Sequence, residues 1–290
     1  MSSSETCIRI TPDQRLASEW ELVLIAEGLS PNLSFTAEGI VVAVPDEEVE
    51  RARAALSAYD KENNAKLREP DDTGDSAGLL PGIAVAEALL LFFFVTVAWK
   101  PSIPWFERGS ADAHRIMSGE LWRTVTALTL HTDIVHALAN AVGAAVFFGA
   151  LFGLLGLGVG SALVLFGGAG GNLANAVLHG SPHLSVGAST SVFAAVGTIA
   201  GLAMVRRLRR GPHRRRAWMP IAAALALLAM LGSGGERVDV WAHLCGLILG
   251  TLSGIAVGLI SPSPPKPSIQ WVCGSATLAL LIYCWIVAVG

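Results

Sequence analysis

From Leu79 onward the chain is a succession of apolar runs, each near the length that a bilayer demands. A bilayer core takes roughly 20 apolar residues per helix. Within it every backbone polar group must be bonded inside the segment, so such runs fold as helices gathered into a bundle. Seven candidate spans follow: residues 79–99, 134–155, 158–178, 188–205, 218–231, 240–260 and 272–289. The fifth is short. The third and fourth are rich in glycine, as suits helices buried among others rather than facing lipid. An apolar share of 52% in 290 residues is too high for an ordinary soluble domain.

The first part of the chain differs. Residues 1–78 carry 16 acidic and 7 basic side chains, whereas the remainder carries 7 and 13. Residues 6–64 read as a small soluble α/β unit of order β-α-β-β-α. Its strands are expected at 6–10, 33–35 and 40–44, and Thr11 is the expected cap of a helix that Gly28 ends. The unit resembles small prokaryotic regulatory domains of ferredoxin-like plan and shows no chemistry of its own. It is expected to be either a solvated domain or a docking module for a cytoplasmic partner. The expected organisation is a soluble domain at 1–67, a polar linker at 68–78, a six-span core at 79–260, and a linker with an extra span at 261–290. The first thirty residues lack a basic-then-apolar leader pattern, and Ser2 is no myristoylation site. The four cysteines form no disulfide or metal-ligand spacing and read as small apolar residues.

Orientation follows from arginine. Arg206, Arg207, Arg209, Arg210, Arg214, Arg215 and Arg216 cluster between the fourth and fifth spans. Short basic loops stay in the cytoplasm, so this run reads as a topology signal rather than a nucleic-acid patch. Counting spans puts the amino terminus in the cytoplasm and the carboxyl terminus outside, in a multi-pass protein of the plasma (inner) membrane. The second, fourth and sixth spans then all enter from the outer side. Their first turns carry His136 and Asn140, then Ser189, then His243. Polar groups at one depth of a membrane bundle are functional candidates.

Two glycine stripes reinforce the placement. Below Ser189 lie Phe193, Gly197 and Gly201 at intervals of four; below His243 lie Gly246, Gly250, Gly254 and Gly258. Residues four apart share a helix face, and small residues there let two helices approach closely. Helices joined along these stripes bring Ser189 and His243 face to face. A serine needs a base to become a nucleophile, and histidine titrates near neutrality. A tetrahedral oxyanion needs donors; His136 and Asn140 share one face, and the Ser189 N–H stands at a helix start. Nucleophile, base and oxyanion donors are the inventory of acyl transfer.

Four motifs in order then resemble the rhomboid family of intramembrane serine proteases, in its bacterial form. They are Trp122–Arg123 in GELWRTVTALTLH, HTDIVHALAN with His131, His136 and Asn140, the GAS of Gly187 to Ser189, and AHLCGLILG with His243, Gly246 and Gly250. The resemblance implies an all-α six-helix membrane core with a seventh span added. It implies Ser189 as nucleophile, His243 as base, and His136 and Asn140 at the oxyanion site. It further implies no cofactor or metal, single-pass transmembrane protein substrates with helix-destabilising small residues near the cut, and surrounding membrane lipid. No nucleic-acid partner is expected. Thr190 stands where the family usually has glycine, and Phe193 where it often has tyrosine. The β-branched Thr190 is expected to narrow the pocket; the Phe193 ring is expected to stack on His243.

Other polar residues receive plainer readings. His131 is expected to be structural, at the membrane surface, and Asp239 to cap the sixth span rather than complete a triad. His179 and His183 are expected in solvent, and His114 and His213 in loops. The loop 100–130, with Trp105, Phe106 and Trp122, reads as an amphipathic interfacial element tied down by Arg123. The seventh span is expected beside the sixth. The alternatives are a catalytically inactive rhomboid-like binder or chaperone of transmembrane segments, and a small-solute channel or transporter.

Overall fold

A computed structural model describes residues 5–36, 39–67, 78–99, 103–180, 182–209, 216–231, 239–260 and 265–290. Contacts divide the chain into two units, Met1–Asp72 and Thr73–Gly290. In the first, the order is β1 (Glu5–Thr11), α1 (Gln14–Ala26), β2 (Asn32–Thr36), β3 (Gly39–Pro45) and α2 (Val49–Leu67). Both β1 and β2 pair antiparallel with the central β3. The alternation of β3 turns Ile40, Val42 and Val44 inward. Val42 and Val44 pack with Trp20 and Leu24 of α1 and Ala52 and Leu56 of α2. Asp13, not Thr11, caps α1: its Oδ1 accepts the Leu16 N–H at 3.4 Å, and Thr11 Oγ1 takes the Asp13 N–H at 3.1 Å. Gly28 ends α1 at φ 71°, in the left-handed region. The expected linker falls almost wholly outside the described residues.

The second unit is the helical bundle. Its long helices are α3 (Leu79–Phe93), which runs on through a π-helical turn at Phe94–Trp99, and α7 (Ile134–Gly143), which passes through a second such turn into α8 (Gly149–Leu155). They continue with α9 (Leu157–His179), α10 (Ser189–Arg209), α12 (Val240–Ile260) and α13 (Pro267–Val289). Counting α7 and α8 as one span, six among the described residues are long and apolar enough to cross a membrane. The fifth expected span is helical as α11 (Met219–Leu231), but at 13 residues it is shorter than the rest.

The centre of the bundle is the seam between α10 and α12, where backbone meets backbone. A Cβ placed on Gly246, Gly250 or Gly254 would run into the carbonyl oxygens of Thr190, Ala194 and Thr198. A Cβ on Gly197 or Gly201 would strike those of Leu247 and Thr251. Each helix seats its glycines under the other's carbonyls, so the two stripes read from the sequence interlock.

The loop before α7 is more structured than an amphipathic surface segment. It holds α4 (Trp105–Gly109), β4 (Ala111–Asp112), α5 (Ala113–Met117) and α6 (Arg123–Thr126), and His114 lies within α5 rather than in a loop. Arg123, 2% exposed, binds it together. Its Nε donates to Glu120 Oε2 at 2.6 Å, and its guanidinium donates to the carbonyls of Glu107 at 2.8 Å and Ser110 at 3.2 Å. Burying a guanidinium is costly without such partners.

The seventh expected span, α13, does not pack beside the sixth, α12. α13 lies on α9 and, at its far end, on α4 and α6. Near its start, Gln270 Oε1 accepts the Val159 N–H at 3.0 Å and Gln270 Nε2 donates to the Leu155 carbonyl at 2.6 Å. Near its end, Trp285 wedges against Phe92 and Trp105, and its Nε1 donates to Thr129 Oγ1 at 3.2 Å. Arg108 donates to the carbonyls of Ala288 and Val289. Proline and polar residues between the sixth and seventh spans told only that the chain turns. The partner was chosen by Gln270 and Trp285.

Candidate active site

The loop before Ser189 is built from the bottom up by three attachments. β5 (Leu184–Ser185) pairs antiparallel with β4, Ala111 opposite Ser185. The Gly187 N–H then donates to the Ala127 carbonyl at 2.9 Å, and the Ala188 N–H to His131 Nε2 at 3.4 Å. Gly187 sits at φ 123°, a conformation that L side chains rarely take. Ser189 follows at once as the first residue of α10.

Ser189 Oγ and His243 Nε2 are 2.7 Å apart. His243 is 6% exposed, and the Phe193 ring lies over its imidazole with centroids 4.7 Å apart and a 32° tilt. Phe193 is one turn below Ser189, so one helix face supplies both the serine and the wall behind the histidine.

His136 and Asn140 come to the same place from α7. A Cβ on Gly187 would stand 2.6 Å from His136 Nε2 and 3.7 Å from Asn140 Nδ2. Asn140 is 5% exposed, and its Nδ2 donates one proton to the His136 carbonyl at 3.0 Å, leaving a second N–H. Asp133 caps α7 by accepting the His136 N–H at 2.9 Å, a role that the sequence reading did not assign. His136, Asn140, Ser189 and His243 thus share one end of the bundle. Trp122 and Arg123 belong to the loop that supports this end, while Gly246 and Gly250 belong to the seam beneath it.

His131 departs from its expected place. It precedes α7 rather than riding on it, and it is fully buried, not at a surface. Burial first, and the neighbouring His136 second, lower its pKa to about 4 against the opposing pull of the Thr129 carbonyl and Asp133. A neutral imidazole is what the Ala188 N–H requires as acceptor.

Thr190 does not face the serine's working side. It is buried, and its methyl lies against Gly171 of α9 and Gly246 of α12. The β-branch expected to narrow the pocket fills a three-helix junction instead.

His183 is not in free solvent. Its Nε2 meets Asp239 Oδ2 at 2.7 Å, and Asn175 Nδ2 donates to the same oxygen, also at 2.7 Å. His179 stacks on His183 with centroids 4.3 Å apart. Asp239 does cap α12, its Oδ1 accepting the Ala242 N–H at 3.0 Å. Burial would raise the Asp239 pKa, but the bonds from Ala242, His183 and Asn175 together hold it below the ordinary carboxylate range. His213 and Arg210, Arg214 and Arg215 lie outside the described residues. Of the remaining basic run, Arg209 donates to the Leu259 carbonyl at 3.0 Å, at the opposite end of the bundle from Ser189.

Residues 118–259 match the Rhomboid domain family. Rhomboid-like protease 3 of Toxoplasma gondii is 30% identical over 211 residues, which cover 68% of this chain and 80% of that protein. YdcA of Bacillus subtilis is 27% identical over 176 residues, covering 59% of this chain and 83% of its own length. Rhomboid protease GluP of Bacillus subtilis is 28% identical over 151 residues, 52% of this chain but only 29% of that longer protein. With these matches, six membrane-length helices and four motifs gathered at one end of the bundle, the chain is an integral, multi-pass membrane protein that belongs to the rhomboid family of intramembrane proteases.

Proposed function

We propose that the chain is a serine-type endopeptidase that cuts a peptide bond in or beside a substrate's transmembrane helix. The 2.7 Å contact between Ser189 Oγ and His243 Nε2 carries this reading. Ser189 Oγ–H donates to the unprotonated Nε2. As Oγ attacks the scissile carbonyl carbon, that proton passes to His243 and the carbonyl oxygen becomes an oxyanion. Collapse of the tetrahedral species breaks the C–N bond, and the imidazolium gives its proton to the leaving amine. Water, deprotonated by the same imidazole, then hydrolyses the acyl-serine.

The oxyanion site is assigned by which donors remain. The amides of Gly187 and Ala188 are committed to Ala127 and His131. The Ser189 N–H, the second Asn140 amide proton and His136 Nε2 are the donors beside Gly187. His136 serves in the tautomer that carries the ring proton on Nε2; its Nδ1 lies 3.4 Å from Thr132 Oγ1, whose own proton goes to Asp133 Oδ2. Such donors are worth roughly 10²–10³ in rate apiece.

An apolar cleft of about 390 Å³ lies between Phe147 of the second span, Val196 to Ala203 of α10, and Pro220 to Leu227 of α11. Because α11 is short, it is the natural place for a substrate helix to come alongside. The arginine run supports a cytoplasmic amino terminus in the plasma membrane. The outer end of α13, joined to the loop around Thr129, supports a carboxyl terminus on the Ser189 side.

The test is cleavage of a single-pass reporter in proteoliposomes. Ser189→Ala and His243→Ala are each expected to lose at least about 10³-fold in rate, with fluorophosphonate labelling lost in Ser189→Ala. Equal cleavage by all three proteins would end the assignment and favour a binding role.

A further inference from the structure

We infer that His183, through Asp239, is a positioning residue that fixes the nucleophile loop against the start of the helix carrying the base. The inference rests on the Ser189–His243 reading. Ser189 and His243 belong to different helices, and their distance depends on two short segments that precede them. His183 stands six residues before Ser189, and Asp239 four residues before His243. The seam of α10 and α12 sets how closely the helices lie. It does not hold the segments that lead into them, and the first N–H groups of a helix have no intrahelical partners.

The His183–Asp239 contact closes that gap. One carboxylate does two tasks with two oxygens. Asp239 Oδ1 holds the first turn of α12 through the Ala242 N–H. Asp239 Oδ2 takes the nucleophile loop through His183 Nε2 and the end of α9 through Asn175 Nδ2. Asn175 is 2% exposed, so its amide is a fixed post. A carboxylate oxygen only accepts, so at 2.7 Å Nε2 carries the proton that Asp239 takes, and the 3.0 Å approach of Asn175 Nδ2 to that N–H is a contact rather than a bond. The loop is held from its other side as well, where the Ala113 N–H donates to the His183 carbonyl at 3.0 Å and His179 stacks on the ring. Three chain segments, from α9, the loop and α12, thus meet on one aspartate. A charge-assisted bond of this length is short and directional. A shift of 1 Å between nucleophile and base costs on the order of 10²-fold in rate.

The full-length protein, reconstituted with a single-pass reporter, provides the test. His183→Ala and Asp239→Asn should each lower kcat about tenfold, leave KM within about twofold, and slow fluorophosphonate labelling of Ser189 by the same factor as kcat. Asp239→Asn keeps an Oδ1 to cap α12, so it carries the test if His183→Ala does not fold. The double variant should lose no more than the worse single one, whereas independent contributions would multiply to about a hundredfold. His183→Gln, whose amide N–H reaches toward the carboxylate, should recover most of the rate. Wild-type labelling in both single variants, a multiplicative double variant, or a KM effect without a kcat effect would each overturn the proposal. If Ser189→Ala cleaves like wild type, the dyad reading fails; if only Ser189→Ala is inactive and His183→Ala is not, the dyad stands and this positioning role falls.

Discussion

Two of the neighbours of α10, α12 and α11, meet it in opposite ways. On one side α12 is joined backbone to backbone, its glycines beneath the carbonyls of Thr190, Ala194 and Thr198. On the other, the short α11 touches α10 through side chains such as Leu228 and Val196 and leaves an apolar cleft beside them. Under the proposed function the difference separates two requirements of one site. The distance between Ser189 and His243 must be held within tenths of an ångström, and backbone packing without intervening rotamers does that. A substrate helix must be admitted, and a 13-residue helix held by side chains yields more readily.

The sharpest way to break this contrast is Gly250→Leu. No side chain fits under the Ala194 carbonyl, so the seam must part. Loss of all measurable cleavage and of a monodisperse folded protein is expected, read by size-exclusion chromatography and labelling. A folded, active Gly250→Leu protein would show that the seam is not what fixes the dyad.

The buried support above the seam should show in pH. His131 is neutral in the fold, with its pKa at about 4, against the ordinary 6.5 in an unfolded chain. Between these values the unfolded chain binds the extra proton, so stability rises with pH across the window. The contribution is complete above about pH 6.5 and is lost as pH falls toward 4, to an extent of about 3 kcal/mol. Thermal unfolding from pH 7.5 to 4.5 should show this drop, and His131→Gln should flatten it relative to wild type.

Gly187→Ala probes the other wall of the site. A Cβ there meets His136 Nε2 at 2.6 Å in a backbone conformation already unfavourable to alanine. Cleavage and fluorophosphonate labelling should both fall about a hundredfold, as for the loss of an oxyanion donor. By contrast Ala203→Leu, in the cleft, should spare folding and labelling and slow only cleavage of a transmembrane reporter, by about fivefold, near 1 kcal/mol. Equal losses in cleavage and labelling would erase the distinction between the fixed and yielding sides. The smallest effect is expected of Thr190→Gly. With its methyl in the junction of Gly171 and Gly246, the change should cost about 1 kcal/mol of stability and leave the cleavage rate within about twofold.

Much of the site was legible because it follows local periodicity. Glycines at intervals of four below Ser189 and below His243 state which faces meet, and a pair four apart states that His136 and Asn140 look one way. What escaped depends on contacts between distant segments. Nothing near His183 in the chain announces Asp239, 56 residues away. His131 looks like a surface histidine until the Ala188 N–H is known to need an acceptor. The two π-helical turns, at Phe94–Trp99 and Ala144–Phe148, are invisible in runs that are apolar throughout. The loop 100–130 reads as a surface element because nothing in its sequence tells that Arg123 is buried on the carbonyls of Glu107 and Ser110, beside an apolar cluster of Ala111, Ala113, Ile116 and Ala127.

Gln270 gives the fold an order in time. The hairpin of α8 and α9 is made long before α13 during synthesis, yet the Leu155 carbonyl and the Val159 N–H find their partner in a side chain of the last helix. Gly156 and Gly158 leave the space that Gln270 fills. Until α13 has joined the bundle, those two groups lack this partner and the slot stands open. Docking of α13 therefore closes the turn between α8 and α9 through one side chain.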